Sequence, residues 1–233
     1  MKREIKIFGK TVMLNMRNDG DFAIANELFL DHQYKFCDKA IKDAKDCVID
    51  IGGHLGFFSM YASLLNSDVP IYTFEPHVGN YEILKQNLKD NRIKNVQPKQ
   101  LAVSDKVGQT ELQISKEDLN HSITYAIEAT GEVQMVQTTT LERIFQKNNI
   151  GHCDLVKIDC EGAEFALIYA TPDEILDRVS NIFLEYHDWV NGQNSDELKR
   201  FLEGKGFKVE KYPNGKIKEL GFLWCYKCLN HDL

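Results

Sequence analysis

Two short runs bring carboxylates, an amine and an imidazole together at spacings that suit chemistry. In "KIDCEGAE", Lys157 and Asp159 lie two residues apart, with Glu161 and Glu164 close behind. Residues two apart on a strand share a face, so Lys157 and Asp159 fall together. In "LEYHDW", Glu185 and His187 repeat that spacing. Histidine is the side chain best suited to accept a proton near neutral pH, and a neighbouring carboxylate raises its basicity. His187 is therefore the expected general base and Asp159 the second candidate, with Lys157 and Glu185 beside them. The bland reading is an ion pair bracing a strand end, with Glu161 and Glu164 favoured by a helix dipole.

A third stretch, "VIDIGGHLGFFS" from Val48 to Ser59, joins an apolar strand to an apolar helix through three glycines. Glycine there lets backbone approach a ligand closely. The dinucleotide fingerprint G-x-G-x-x-G fails, because its second and third glycines would fall on His54 and Phe57. The phosphate loop fails as well, since no Gly-Lys-Ser or Gly-Lys-Thr occurs. Asp50, Gly52 and Gly56 fit a turn beneath a small ligand, and Glu75 closes the next strand in "TFEP" beside Pro76. A carboxylate about 20 residues after such a bend can accept from both hydroxyls of a ribose. Asp50 could take an ammonium group. A ligand with ribose and amino-acid ends but no pyrophosphate is S-adenosylmethionine, with S-adenosylhomocysteine as its product.

These residues need a scaffold, and the chain spells one out. "IKIFGKTVMLNM" reads as a hairpin, and "DFAIANELFLDHQYKF" as a helix. From Cys47 onward, apolar strands alternate with helical patterns, which implies parallel strands, crossover helices and a sheet covered on both faces. "VQPKQLAVSD" reads as a single strand. After "DELKRFLEGKG", a helix, come two strands turning at Pro213, Asn214 and Gly215. The expected fold is α/β: a doubly wound, mostly parallel seven-stranded sheet with a C-terminal antiparallel hairpin and a short N-terminal hairpin plus helix. One domain is expected over 1–233, with an extension at 1–45, a cofactor-binding core at 46–190 and a C-terminal helix and hairpin at 191–233. The polar, irregular segment Ser115–Gln137 reads as a lid or substrate loop, with His121, Ser122 and Tyr125 as candidate acceptor contacts and Glu161 beside them.

Composition bounds the function further. The 233 residues carry 43% hydrophobic and 27% charged residues, an ordinary soluble balance. A net charge of -7 speaks against a partner bound through phosphates. No apolar run reaches the roughly 20 residues of a membrane span, and no signal peptide is evident. Six scattered cysteines fit a reducing, cytoplasmic setting. The pair in "CYKC", Cys225 and Cys228, lacks a second pair to complete a metal site. Asp159, Glu185 and His187 could hold magnesium, but no metal is the expected reading.

The run "VIDIGGHLGFFS … TFEPHVGNYEILKQNL … LAVSDKVG … TTTLERIF … DLVKIDCEGAE … IFLEYH" resembles the FkbM family of S-adenosylmethionine-dependent methyltransferases over about residues 27 to 190. "KIDCEGAE" is its most specific block. The resemblance implies a class I methyltransferase fold and O-methylation of hydroxyls on sugars, glycans or other small natural products. It also implies that Asp50, Gly52 and Gly56 line the methionine end of the cofactor and Glu75 the ribose. Ser104 and Asp105 would meet the adenine, and Glu27 and Tyr34 would fold over the ligand. Gly53 stands where alanine is usual, a change expected to matter little, and His54 would face cofactor or substrate. The alternatives are an RNA or protein methyltransferase using the same cofactor site, and an inactive binding module. Oligomeric state is open.

Overall fold

The computed structural model describes residues 1–30, 34–116, 121–124, 129–189 and 192–227. An N-terminal hairpin, β1 (Lys2–Ile7) and β2 (Lys10–Asn15), leads into α1 (Asp19–Phe29). A 3-10 turn (Lys35–Cys37) and α2 (Asp38–Lys42) follow. The rhythmic part then runs β3 (Val48–Ile51), α3 (Phe57–Leu65), β4 (Ile71–Phe74), α4 (Val78–Asp90), β5 (Val96–Lys99). Next come β6 (Ala102–Val103), β7 (Gly108–Ser115), β8 (Ala129–Thr139) and α5 (Leu141–Lys147). The chain continues through β9 (Cys153–Ile158), α6 (Glu164–Ala170), α7 (Asp173–Leu176) and β10 (Val179–His187). It ends with α8 (Ser195–Gly204), β11 (Lys208–Pro213) and β12 (Leu220–Tyr226).

The main sheet has seven strands in the order β11-β12-β10-β9-β3-β4-β5. Five strands are parallel, and β12 and β11 join antiparallel at one edge, as the C-terminal pattern implied. Strand order reverses between β3 and β9, so the crevice at their carboxyl ends is the natural ligand position. All four residues of β3 are buried, which explains its near-continuous apolar run. Alternate residues along these strands feed two cores, Ile49, Ile51, Val156 and Ile158 on one face and Val48, Ile71, Leu155 and Phe183 on the other.

Three sequence expectations change. The helix expected over residues 21–36 ends at Phe29, and its last part becomes the 3-10 turn. "VQPKQLAVSD" is split: β5 stays in the main sheet, whereas β6 pairs with β8 in a separate three-stranded sheet. Residues 129–137 of the segment expected to be irregular lie in β8, which pairs antiparallel with β7 around a small core of Ala102, Leu112 and Val136. Polar residues face outward along much of β8, leaving little apolar periodicity for a sequence pattern to catch.

The N-terminal hairpin is tied to α4 through Asn87, Asp90 and Asn91, and fully buried Asn87 also reaches the glycine bend. Asn87 Oδ1 accepts from the Asn15 backbone N–H (2.7 Å) and from Asn15 Nδ2 (3.0 Å). Asn87 Nδ2 donates to the Leu55 carbonyl (2.8 Å), inside the glycine bend. Asn87→Ala orphans these groups in the interior, and we expect a loss of about 3 kcal/mol of stability. A lower urea midpoint at unchanged slope would register it; an unmoved midpoint would show that the hairpin docks without Asn87.

Candidate active site

The glycine bend is held from below. Gly52 and Gly53 both donate their N–H to the Phe74 carbonyl, at 3.0 and 2.9 Å. Gly52 has φ +77, and a Cβ there would lie 1.6 Å from the Asp159 carbonyl oxygen, so β9 leaves room for no other residue. Lys157, almost fully buried, donates to the Gly52 carbonyl at 2.9 Å. Its ammonium also lies 3.5 Å from Asp50 Oδ1 and 3.4 Å from Asp159 Oδ2. Burial alone would push this amine down, yet Asp159, Asp50 and Glu185 together push it up, so it stays charged. Asp50 differs from its expected role. It is fully buried beneath the bend, off the cavity wall, where it accepts from Ser59 Oγ at 2.6 Å. Its carboxylate supports the start of α3 through Ser59 and faces Lys157 from below.

Above the bend lies a cavity of about 480 Å³. One wall carries Glu75, which accepts from the backbone N–H groups of His54 (2.8 Å) and His77 (2.9 Å), and from Asn80 Nδ2 (3.3 Å). Burial outweighs these bonds and raises its carboxyl to about 7. Pro76, Gly53, His54, Glu27 and Tyr34 line the same cavity. Behind His54 stands Arg17, which the sequence reading did not single out. Its guanidinium donates to both oxygens of buried Asp21 (3.1 and 2.8 Å) and to Asn80 Oδ1 (2.7 Å), and lies 2.8 Å from His54 Nε2. The only sequence trace of this clamp is the Arg17–Asp21 spacing of four residues.

The opposite wall carries Lys157, Asp159, Glu161 and Glu185. Burial first, then Asp159, pushes the Glu185 carboxyl well up. His187 is not on this wall. It is buried behind Glu161, with Nδ1 2.9 Å from Glu164 Oε1 and Nε2 3.5 Å from Glu161 Oε2. Glu164 also accepts from the backbone N–H groups of Gly162 (2.8 Å) and His187 (3.0 Å). Burial would lower the imidazole, but Glu164, Glu161 and Glu185 raise it well above its ordinary value. His187 thus holds its proton more tightly than an ordinary imidazole and stands off the cavity wall, away from where the expected base would meet an acceptor. The carboxylate that pairs with it is Glu164 at the start of α6, and among the described residues Glu185 makes no hydrogen bond to it.

Ser104 and Asp105 are also corrected. They bond to each other at 2.9 Å and border a separate small cleft, while Leu101, Ala102 and Val103 line the main cavity in their stead. The chain turns outward after Val103 to form β7, carrying the two polar residues past the crevice. His121 lines the cavity against His77, ring centroids 4.1 Å apart. Ser122 is buried and donates to the Glu161 carbonyl at 2.5 Å, so it supports the wall without lining it. Tyr125 and Cys228 lie outside the described residues. Gly56 caps α3 with φ +84 against Leu84, and is likewise off the wall. Asp159, Glu161 and His187 bring one atom each within 4.8 Å, a different trio from Asp159, Glu185 and His187. Each already faces a charged partner, so we assign no metal to it. Likewise Asp154 of the Asp46–His152–Asp154 group accepts three backbone N–H bonds through one oxygen.

This strand order and crevice define a class I methyltransferase fold. Among solved structures, a methyltransferase of Streptococcus mutans in complex with S-adenosylhomocysteine aligns at TM-score 0.54 and 13% identity, covering 85% of this chain and 97% of that one. Methyltransferase FkbM of Methylobacillus flagellatus aligns at TM-score 0.52 and 10% identity, covering 78% and 44%. Within that class, residues 50–209 match the Methyltransferase FkbM domain, and the chain belongs to the FkbM methyltransferases, a family dependent on S-adenosylmethionine. Methyltransferase 1 of Beauveria bassiana is 25% identical over 80% of both chains. The 31-O-demethyl-FK506 methyltransferase FkbM of Streptomyces tacrolimicus is 24% identical over 70% of this chain and 73% of that one.

Two outcomes follow from this geometry. A Cβ on Gly53 would meet Thr73 Cγ2 at 2.4 Å, so the exchange for alanine is not neutral as expected. Gly53→Ala should cost about 2 kcal/mol by overpacking, and adding Thr73→Ser, which deletes that methyl, should restore most of it in thermal melts. An alanine variant as stable as the parent would mean the bend relaxes freely. Glu75 gives a pH signature. Its carboxyl ordinarily titrates at 4.5 and in the fold at about 7, so the fold holds a proton that the unfolded chain has released. The ligand-free protein should therefore lose stability as pH rises from 4.5 through 7, and Glu75→Gln should flatten that slope. An identical slope in the variant would mean Glu75 ionises without penalty.

Proposed function

We propose that the protein transfers a methyl group from S-adenosylmethionine to a hydroxyl of a small natural product, sugar or glycan. The observation that carries this reading is the cavity itself: a buried carboxylate on one wall, carboxylates at the strand ends on the other, and a glycine bend between. Its volume of about 480 Å³ falls in the range of small-molecule sites. Glu75 fits the ribose, since each oxygen already accepts a fixed N–H and keeps lone-pair capacity for a hydroxyl. Leu101, Val103 and Pro76 offer the apolar surface that an adenine ring needs. Lys157 sets the Gly52 carbonyl, and Tyr34, packed between Phe58 and Phe183, covers the bend from the other side.

When bound, the cofactor supplies an electrophilic methyl on a sulfonium, whose bonding pair stays with sulfur as the acceptor oxygen takes the carbon. The chain's part is alignment and the fate of the acceptor proton. Asp159, on the cavity wall, puts negative charge beside a cationic ligand, which favours its binding. The Streptomyces relative, whose name gives 31-O-demethyl-FK506 as its substrate, supports a natural-product hydroxyl as acceptor. The net charge of -7 weighs against an RNA acceptor.

Calorimetry tests the cofactor directly. S-adenosylmethionine and S-adenosylhomocysteine should bind in the micromolar range and NAD should not, and Glu75→Ala should weaken the adenosyl ligands by about 100-fold. A screen of hydroxylated sugars and polyketides, read as S-adenosylhomocysteine release, then identifies the acceptor. A well-folded protein that binds neither adenosyl ligand would overturn the reading.

A further inference from the structure

We infer that Glu161 is the residue that accepts the acceptor's proton, and that His187 and Glu164 are positioning residues that hold it for that task. The inference rests on the methyl-transfer reading above and adds the identity of the base. Three observations carry it. Glu161 lines the cavity, whereas His187 does not. Behind it runs an ordered line of charge, with Glu161 Oε2 3.5 Å from His187 Nε2 and His187 Nδ1 2.9 Å from Glu164 Oε1. Glu164, fully buried, is fixed in turn by the backbone N–H groups of Gly162 and His187. Glu161, at the cavity wall, thus sits at ion-pair distance from an imidazole whose other nitrogen is fixed by buried Glu164.

The backbone at Glu161 agrees with a site built to present one side chain. Its φ is +53, a left-handed conformation that glutamate rarely adopts. The turn is held by its carbonyl, which accepts from Ser122 Oγ (2.5 Å) and Thr124 Oγ1 (3.2 Å). The hairpin β7–β8, through its loop, therefore sets how Glu161 enters the cavity.

The neighbouring carboxylates are less suited. Asp159 lies 3.4 Å from the Lys157 ammonium and serves as its counter-ion. Glu185 has no ion pair among the described residues, and burial keeps its carboxyl protonated well above the ordinary range. The charged and titratable groups facing Glu161 are His187 and Glu185 on β10, Asp159 and Lys157 at the end of β9, Cys160 beside it, and Glu164 on α6. Burial is the largest influence and His187 opposes it, leaving the Glu161 carboxyl at about 7. A base poised there is ionised often enough to act at neutral pH and basic enough to take a proton. In the step, the hydroxyl proton passes to a Glu161 carboxylate oxygen as the acceptor oxygen bonds the methyl carbon. The old carbon–sulfur pair remains on sulfur, so no oxidant or further reactant enters.

The first test needs no acceptor. In ligand-free protein labelled with carbon-13 at the glutamate carboxyl, two resonances should titrate near pH 7, one lost in Glu75→Gln and the other lost in Glu161→Gln, and only the second should move up, by about one pH unit or more, in His187→Gln. If His187→Gln fails to fold, the resonance missing from Glu161→Gln decides alone. Titration of that resonance at about pH 4 to 5 would overturn the assignment. With an acceptor from the screen, Glu161→Gln should lower kcat about 100-fold while KM for S-adenosylmethionine stays within about threefold. Glu161→Asp should recover part of the loss, and His187→Gln should move the acid limb of the kcat profile upward. A Glu161→Gln enzyme with kcat within about threefold of the parent would also overturn it. Failure of adenosyl ligands to bind wild-type protein would instead remove the methyl-transfer reading, and calorimetry reads that separately.

Discussion

The site depends on a charged amine buried at the switch point of the sheet. Asp50 on β3 and Lys157 on β9 are register partners, so the ammonium sits where strand order reverses and the glycine bend begins. A buried ammonium is tolerable only with its donors satisfied and its charge opposed. Lys157 meets both conditions through the Gly52 carbonyl, Asp50 and Asp159. The same contacts fix the bend, the strand end and the cavity wall together. Removing either carboxylate would leave charge uncompensated in the interior, and removing the amine would leave two carboxylates facing each other. The loop that meets the ligand is thus placed by electrostatics beneath it as much as by glycine geometry.

Around that centre, negative charge exceeds positive. Among the described residues, Asp50, Asp159, Glu161, Glu164 and Glu185 gather about Lys157 and His187. Burial and mutual repulsion hold some of these carboxyls protonated in the ligand-free protein. A ligand that brings a sulfonium and an ammonium relieves the repulsion. Cofactor binding and proton release from the wall are therefore linked, and the protonation state of the wall depends on what the cavity holds.

Much of this was legible in the sequence. The alternating strands and helices, the antiparallel end and the cavity-lining residues Glu75, Gly52 and His54 all leave local signatures, because strand burial and glycine bends are local properties. Asp50 was visible as a chemical residue, but not its depth: it is buried beneath the bend, off the cavity wall. Ser104 and Asp105 lie outside the cavity wall because the cavity is met by β6 itself, Ala102 and Val103, and the two polar residues follow it. The β7–β8 hairpin escaped notice because one of its faces is solvated along much of its length.

The pairing of His187 with Glu164 is the least legible feature, because 23 residues separate partners whose contact exists only once α6 and β10 pack. Spacing pointed instead to Glu185, two residues away. A histidine flanked by carboxylates can be a base or a captured cation, and the choice turns on how many carboxylates reach it and how dry they are. Here Glu164 is fully buried and Glu161 faces it from the opposite nitrogen. The imidazole consequently holds its proton more tightly than an ordinary one, and the proton-accepting role shifts one group outward, to the carboxylate between it and the cavity.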